Sequence, residues 1–234
     1  MDYIDYIQGQ TEEGFWFKGK KRLINILLSK INLKSLKILN IGAGTGADLD
    51  ILNRYGDIFI CDINKKALDL IPEDFYIEKK VCSATNLQYP DEIFDVVCSF
   101  DVFEHIENDS KVLTEVYRVL KKGGFLFFTV PAFNFLYSAH DRALKHVRRY
   151  NKKTMYQLLK KFRNIEISYW NSFLFIPFAI LRYLKKKSKP KTDYFNLPSL
   201  IEKVFFKILT IENRLIRIGY KLPIGLSLIG YCKK

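Results

Sequence analysis

Four cysteines in 234 residues, Cys61, Cys82, Cys98 and Cys232, form no CxxC pair and sit mostly inside apolar runs. That usage excludes a disulfide framework and offers no metal-ligand spacing; it reads as reduced, buried thiols of a cytosolic protein with no metal. Long apolar runs are missing too. The longest, FLFIPFAIL at 173–181, is too short to cross a bilayer. The opening MDYIDYIQGQTEEG is acidic and polar, unlike a secretory leader, so no integral membrane protein is expected. There is no internal repeat, and the one low-complexity stretch, KKKSKPKTD at 185–193, reads as an exposed turn. With nothing resembling a linker, residues 1–234 are expected to form a single domain. Acidic residues are also short, 25 against 38 Lys and Arg. The net charge of +13 exceeds what solubility needs and points to an anionic partner: nucleic acid, a membrane surface or an anionic substrate.

What is present is an alternation of patterns. Periodicity predicts a helix near 12–31, part of an N-terminal cap over 1–35, followed by the strand-like runs LKILNI, IFIC, FYIEKKV, FDVVCSF and FLFFTV. Helical stretches separate most of them. The clearest is DSKVLTEVYRVLKKGG, where Asp109 or Ser110 can cap the start, Val112, Leu113, Val116 and Leu120 share a face, and Gly123-Gly124 would end it. Strands alternating with helices imply right-handed βαβ units, a parallel sheet covered on both faces, and ligands at the carboxyl ends of the strands.

Only 12 glycines occur, yet three fall within five positions in LNIGAGTGADLD at 39–50. The loop follows a strand and opens a helix, so its glycines can take positive φ and let a ligand approach the backbone. One strand later IFICDIN places Asp62 at a strand end, where a carboxylate can accept both hydroxyls of a ribose. The pair of signals indicates a ribose-containing cofactor. Gly42, Gly44 and Ala47 also satisfy the G-x-G-x-x-G/A dinucleotide pattern, which leaves an NAD-dependent oxidoreductase as an alternative.

ILNIGAGTG, CDIN, SATNLQYPDEIFDVVCSFDVFEHI and EVYRVLKKGGFLFFTVP follow one another across about residues 36–131 and resemble the successive motifs of class I S-adenosylmethionine-dependent methyltransferases. The resemblance implies a Rossmann-like, doubly wound α/β fold with a seven-stranded sheet whose last strand is antiparallel. It implies S-adenosylmethionine as cofactor, with Gly42, Gly44 and Gly46 lining its methionine and ribose portions, Asp62 on the ribose hydroxyls, Ile63 against the adenine, and Ser83, Ala84 and Phe100 completing the site. Asn40 and Ser83 stand where the family usually has acids, which makes the pocket less acidic. FWFKGKKRLI at 15–24, HDRALKHVRRY at 140–150 and the final LPIGLSLIGYCKK resemble a bacterial and archaeal subgroup often linked to glycan or cell-envelope biosynthesis. The first of these stretches offers Lys18 or Lys21 to the cofactor carboxylate, beside the apolar Phe15 and Trp16.

Methyl transfer from a sulfonium is an in-line displacement that needs mainly positioning, and a base only if the acceptor carries a proton such as that of a hydroxyl. Histidine is scarce, and two of the three, His140 and His146, lie after FLFFTV on the ligand side. His140 is the preferred base, with Asp141 orienting it or acting itself and His146 beyond. His105 reads as a packing or cofactor-side residue, and Arg148-Arg149 could grip a phosphate. Between IEISYW at 165–170 and IGLSLIGYC at 224–232 lies far more chain than a hairpin loop, so residues 172–223 are expected to be a helical, basic insertion over the acceptor. From Ser172 to Lys234 there are 13 Lys and Arg against 3 Asp and Glu, ten of the thirteen net charges. Apolar helix faces beside lysines suit an anionic membrane surface, whereas aromatics that follow the apolar face rather than the basic one disfavour nucleic acid. The expectation is a cytoplasmic methyltransferase, peripheral at the inner face of the membrane, acting on an oxygen of a saccharide or lipid-linked small molecule. The alternative from another class is a cofactor-binding, non-catalytic membrane-surface protein.

Overall fold

The computed structural model describes residues 6–7, 14–31, 35–192 and 197–234. The outer ends of the expected 1–35 cap, and part of the turn that follows the lysine run, lie outside them. Seven strands form one sheet: β1 (Leu36–Ile41), β2 (Gly56–Asp62), β3 (Glu78–Val81), β4 (Phe94–Phe100), β5 (Leu120–Pro131), β6 (Arg163–Trp170) and β7 (Ser227–Lys233). Their order is β3-β2-β1-β4-β5-β7-β6, and every neighbouring pair is parallel except the two that β7 makes. This is the Rossmann-like seven-stranded fold expected of the sequence. Helices are α1 (Phe15–Leu28), α2 (Leu49–Leu52), α3 (Lys65–Leu68), α4 (Asp109–Val119), α5 (Ala139–Ala143), α6 (Lys152–Leu158), α7 (Phe175–Leu184) and α8 (Ser199–Arg217).

The central strands are continuous apolar runs because both faces of a parallel sheet are covered. Ile38 and Leu39 of β1, Val96 and Val97 of β4, and Phe127 and Phe128 of β5 are all completely buried. One boundary differs from the expectation. The helix α4 is capped by Asn108, whose side chain accepts the N–H of Lys111, and it stops at Val119 instead of at Gly123-Gly124. Leu120 is fully buried and already pairs with Phe94, while Phe125 pairs with Val96, so the intervening residues bulge from β5 and Gly123 takes φ +81°. Burial of Leu120 in the sheet overrode the helical pattern.

Because β7 returns antiparallel, β5, β6 and β7 bring Pro131, Trp170 and Ser227 together at one edge. The chain between β6 and β7, with α7 and α8, therefore leaves and re-enters at the carboxyl ends of the parallel strands. There α8 packs on α1. At Gly19 a Cβ would come within 2.7 Å of Leu209 Cδ1, so the two helices approach at their smallest residue. Asn213 of α8 ties three elements: its Nδ2 donates to Gly19 O at 2.9 Å and its Oδ1 accepts from Trp170 Nε1 at 2.9 Å. Glu202 accepts the N–H of Phe15 at 2.8 Å, placing a carboxylate at the positive end of α1. Asn213→Ala strands a buried indole N–H and a buried carbonyl; urea unfolding should show a loss of about 1–3 kcal/mol or more.

Candidate functional site

The carboxyl edge of the sheet is where the backbone is most contorted. Left-handed φ values occur at Gly42, Gly44 and Gly46 after β1, at Asp101 after β4, at Phe133 after β5 and at Asn171 after β6. Such conformations concentrate where a ligand must be met. At Gly42, with φ +67°, a Cβ would lie 2.5 Å from Val102 Cγ2, so glycine is required. Asp62, the last residue of β2, accepts the N–H of Gly44 at 2.9 Å through Oδ2 and that of Asn64 at 2.8 Å through Oδ1. One carboxylate thus couples the glycine loop to the start of α3, and its remaining lone pairs can take hydroxyl donors.

Around this point opens a cavity of about 1110 Å³ whose wall runs without a break from the glycine loop to α5, α7 and α8. Gly42, Gly44, Asp62, Ile63, Ser83, Ala84 and Phe100 line it, and so do His140 and His146. Ile63 is 74% exposed, an apolar side chain held out as a flat platform. The Ser83 hydroxyl lies 2.9 Å from that of Thr85. Two of the expected site residues do not line the cavity. Gly46 donates its N–H to Ala43 O at 2.9 Å and shapes the loop from behind. Asp141 is completely buried beneath the wall.

Three lysines of α1 stand near this region. Lys18 lines the cavity and Lys21 pairs with Asp50 at 3.3 Å, but the buried cation is Lys20, 2.7 Å from Asp101 and 3.9 Å from Asp48. It stands 5.2 Å from the Trp16 ring and 5.8 Å from that of Phe100. Burial alone would lower its pKa, yet Asp101 and Asp48 hold it above the ordinary lysine value, so it stays charged. Burial would likewise raise Asp101, and Lys20 keeps it below the usual carboxylate range. Reading α1 as a ribbon of lysines does not reveal which one turns inward; packing of Trp16 against Trp170 at 6.0 Å sets it.

On the other side, Asp141 is the hub. Its Oδ2 accepts the N–H of Ser138 at 2.8 Å as half of a capping box for α5. Arg149 grips both oxygens, Nε to Oδ1 at 2.7 Å and Nη2 to Oδ2 at 3.0 Å. His146 Nδ1 lies 3.0 Å from Oδ1, and Arg182 Nη1 3.5 Å from Oδ2. Burial pushes this carboxyl up, but His146 and Arg182 outweigh it and keep it ionised. An ionised carboxylate only accepts, so His146 carries its proton on Nδ1. Asp141 therefore orients His146. Arg148 is equally occupied, by Asp109 at 2.9 Å and Glu107 O at 2.6 Å, and neither arginine of the pair is disposed to grip phosphate. His140 sits in the wall; burial first, then Arg182, holds its pKa well below the ordinary imidazole value, so it is a neutral base at pH 7. Next to these lies Glu104, 1% exposed, with neither carboxylate oxygen hydrogen-bonded. Burial and the neighbouring Asp101 raise its pKa far above the normal range.

Residues 39–128 match the model of a methyltransferase domain. A probable S-adenosylmethionine-dependent methyltransferase of Mycolicibacterium smegmatis is 25% identical over 163 residues, 66% of this chain and 61% of that protein. A ubiquinone/menaquinone biosynthesis C-methyltransferase of Vibrio vulnificus is 27% identical over 129 residues, 47% of this chain and 48% of its own. The matches thus span between about half and three fifths of these relatives. Among solved structures, a Haemonchus contortus phosphoethanolamine N-methyltransferase 2 with phosphomonomethylethanolamine and S-adenosylhomocysteine superposes with a TM-score of 0.60 at 17% identity, over 92% of this chain and 52% of that one. Fold, motif order and the match over residues 39–128 agree on a class I S-adenosylmethionine-dependent methyltransferase domain, with S-adenosylmethionine as its cofactor. The acceptor atoms named for the relatives differ, carbon in one and nitrogen in another.

Removing one partner of a buried ion pair leaves the other uncompensated. Asp141→Asn should therefore cost about 3–5 kcal/mol, by analogy with other buried pairs, and thermal unfolding would show it as a lowered Tm.

Proposed function

We propose that this class I S-adenosylmethionine-dependent methyltransferase domain transfers its methyl group to an oxygen, hydroxyl or carboxyl, of a saccharide or lipid-linked small molecule. The single observation carrying this reading is the unbroken cavity. One half is built of glycine loop, Asp62 and the Ile63 platform; the other of His140, His146, Lys145, Arg182 and Lys203. In the first half, Gly42 and Gly44 give the cofactor backbone access, Asp62 takes the ribose hydroxyls, and Ile63 with Ser83 and Ala84 frames the adenine. The sulfonium supplies the methyl group. The wall from α1 and α8 excludes water, and the basic side chains favour an anionic or polar acceptor.

His140 is our proposed base, since it is neutral, shielded and adjacent to the acceptor half. Its depressed pKa keeps it unprotonated as pH falls, so the acid limb of the rate profile should lie below the ordinary imidazole pKa of about 6.5. His140→Ala should lower kcat by about 10² and leave the Kd for cofactor nearly unchanged. Asp62→Ala should weaken binding of S-adenosylmethionine and S-adenosylhomocysteine in calorimetry by at least about tenfold while circular dichroism remains that of the folded chain, in line with a lost charge-assisted contact. Retained tight binding would remove Asp62 from the cofactor site.

A peripheral position at the cytoplasmic face of a membrane is the companion proposal. It is supported by the outer faces of the two helices: Phe173, Ile176, Ile180, Tyr183 and Leu184 beside α7, and Leu200 and Val204 of α8, are exposed. Lys185, Lys186 and Lys187 follow directly. None of the helices among the described residues is long and apolar enough to cross a membrane. The protein should sediment with vesicles of anionic lipid, less as salt rises, and less when the three lysines are changed to Glu. No sedimentation at low salt would leave these helices as a lid alone.

A further inference from the structure

Glu104 is the anomaly of the site. A buried carboxylate normally holds donors, and loss of that satisfaction is costly. Here both oxygens lack a hydrogen-bond partner although the residue lines the cavity and is 1% exposed. Lys20, Arg149 and Arg182 are engaged with Asp101 or Asp141. Two imidazoles stand close to it. His105 and His146 stand edge to face with centroids 4.7 Å apart, and the ligand atoms that Glu104, His105 and His146 offer all lie within 4.8 Å of one another.

We infer that Glu104, His105 and His146 form a binding site for a divalent transition-metal ion of the zinc type, facing the acceptor half of the cavity. Two imidazoles and a carboxylate are a donor set that leaves a fourth position of a tetrahedral ion open. His146 is already prepared for it. With Nδ1–H donating to Asp141, the nitrogen left for coordination is Nε2, and a carboxylate behind a histidine is the usual outer support of a metal ligand. Asp141 is in turn fixed by Arg149, so the ring cannot swing away without breaking a buried ion pair. Bonds of about 2.0–2.2 Å would draw the three ligand atoms to about 3.4 Å from one another, a closure of at most about 1.4 Å from the 4.8 Å within which they lie here. The two histidines are 41 positions apart in sequence, His105 just after β4 and His146 after α5, which is why no spacing motif announces them.

The role follows from the position and rests on the proposed oxygen acceptor. An ion there would hold the acceptor oxygen beside the transferred methyl group and favour its deprotonated form, reducing the demand on His140. Binding of the ion itself does not depend on that reading.

Untagged, chelator-treated protein should be titrated with Zn²⁺ by calorimetry and with Co²⁺ by visible absorption. One ion per chain is expected, with the strong visible bands of four-coordinate Co²⁺. Glu104→Gln and His146→Ala should each weaken Zn²⁺ binding at least tenfold, whereas His140→Ala should not. Because Glu104→Gln removes an uncompensated buried carboxyl, it should fold, and Zn²⁺ should raise the Tm of the unaltered chain but not of this variant. Absence of binding, or binding that Glu104→Gln leaves intact, overturns the site. Calorimetry with S-adenosylhomocysteine on the same samples separates the two ideas. Cofactor binding without metal binding refutes the ion and leaves the methyltransferase reading standing; metal binding without cofactor does the reverse.

Discussion

β7 runs antiparallel to both of its neighbours, so the chain that leaves β6 at Trp170 must come back at Ser227 on the same edge of the sheet. That edge is also where β1, β2 and β4 end, with the glycine loop, Asp62 and Asp101. Whatever stands between β6 and β7 is forced to leave and re-enter at that edge. In a hairpin this would be a few residues; here it is α7 and α8, and α1 is packed beneath α8 through Gly19, Leu209 and Asn213. The covering wall is thus a consequence of one strand direction, and the cavity lies between it and the glycine loop.

Electrostatics then divides that cavity into two centres. Asp62 is satisfied by backbone N–H groups and is half-buried, suited to neutral hydroxyls. Asp141 is satisfied by Arg149 and His146, fully buried, and serves the wall instead of the ligand. Between them Lys20 and Asp101 neutralise one another. Among the described carboxylates that line the cavity, Glu104 is left with neither oxygen hydrogen-bonded. In a protein interior most buried polar atoms are paired, so the leftover group is the one that speaks of something to be bound.

Much of this was legible in the sequence because it is local. Three glycines in five positions, a carboxylate at the next strand end and apolar runs of strand length specify the loop, its tie to Asp62 and the sheet through backbone geometry alone. The end of α4 was not, because Leu120 belongs to β5 only once Phe94 lies beside it. That Lys20 is the buried lysine of α1 depends on how that helix docks on Trp170, and no local pattern in the sequence announces it. Asp141 follows His140 in sequence but bonds His146, five residues on, since α5 turns the carboxylate inward beneath Arg149. The Glu104, His105 and His146 cluster joins two loops and has no linear signature.

The central claim is that one cavity holds the cofactor in its glycine-loop half and leaves the other half for the acceptor. A crystal structure of the protein with S-adenosylhomocysteine tests it most directly. The account requires the ribose hydroxyls on Asp62, the adenine against Ile63 and the sulfur turned toward the half containing His140. The same molecule found outside the cavity, or reversed with its adenine among the histidines, would contradict it.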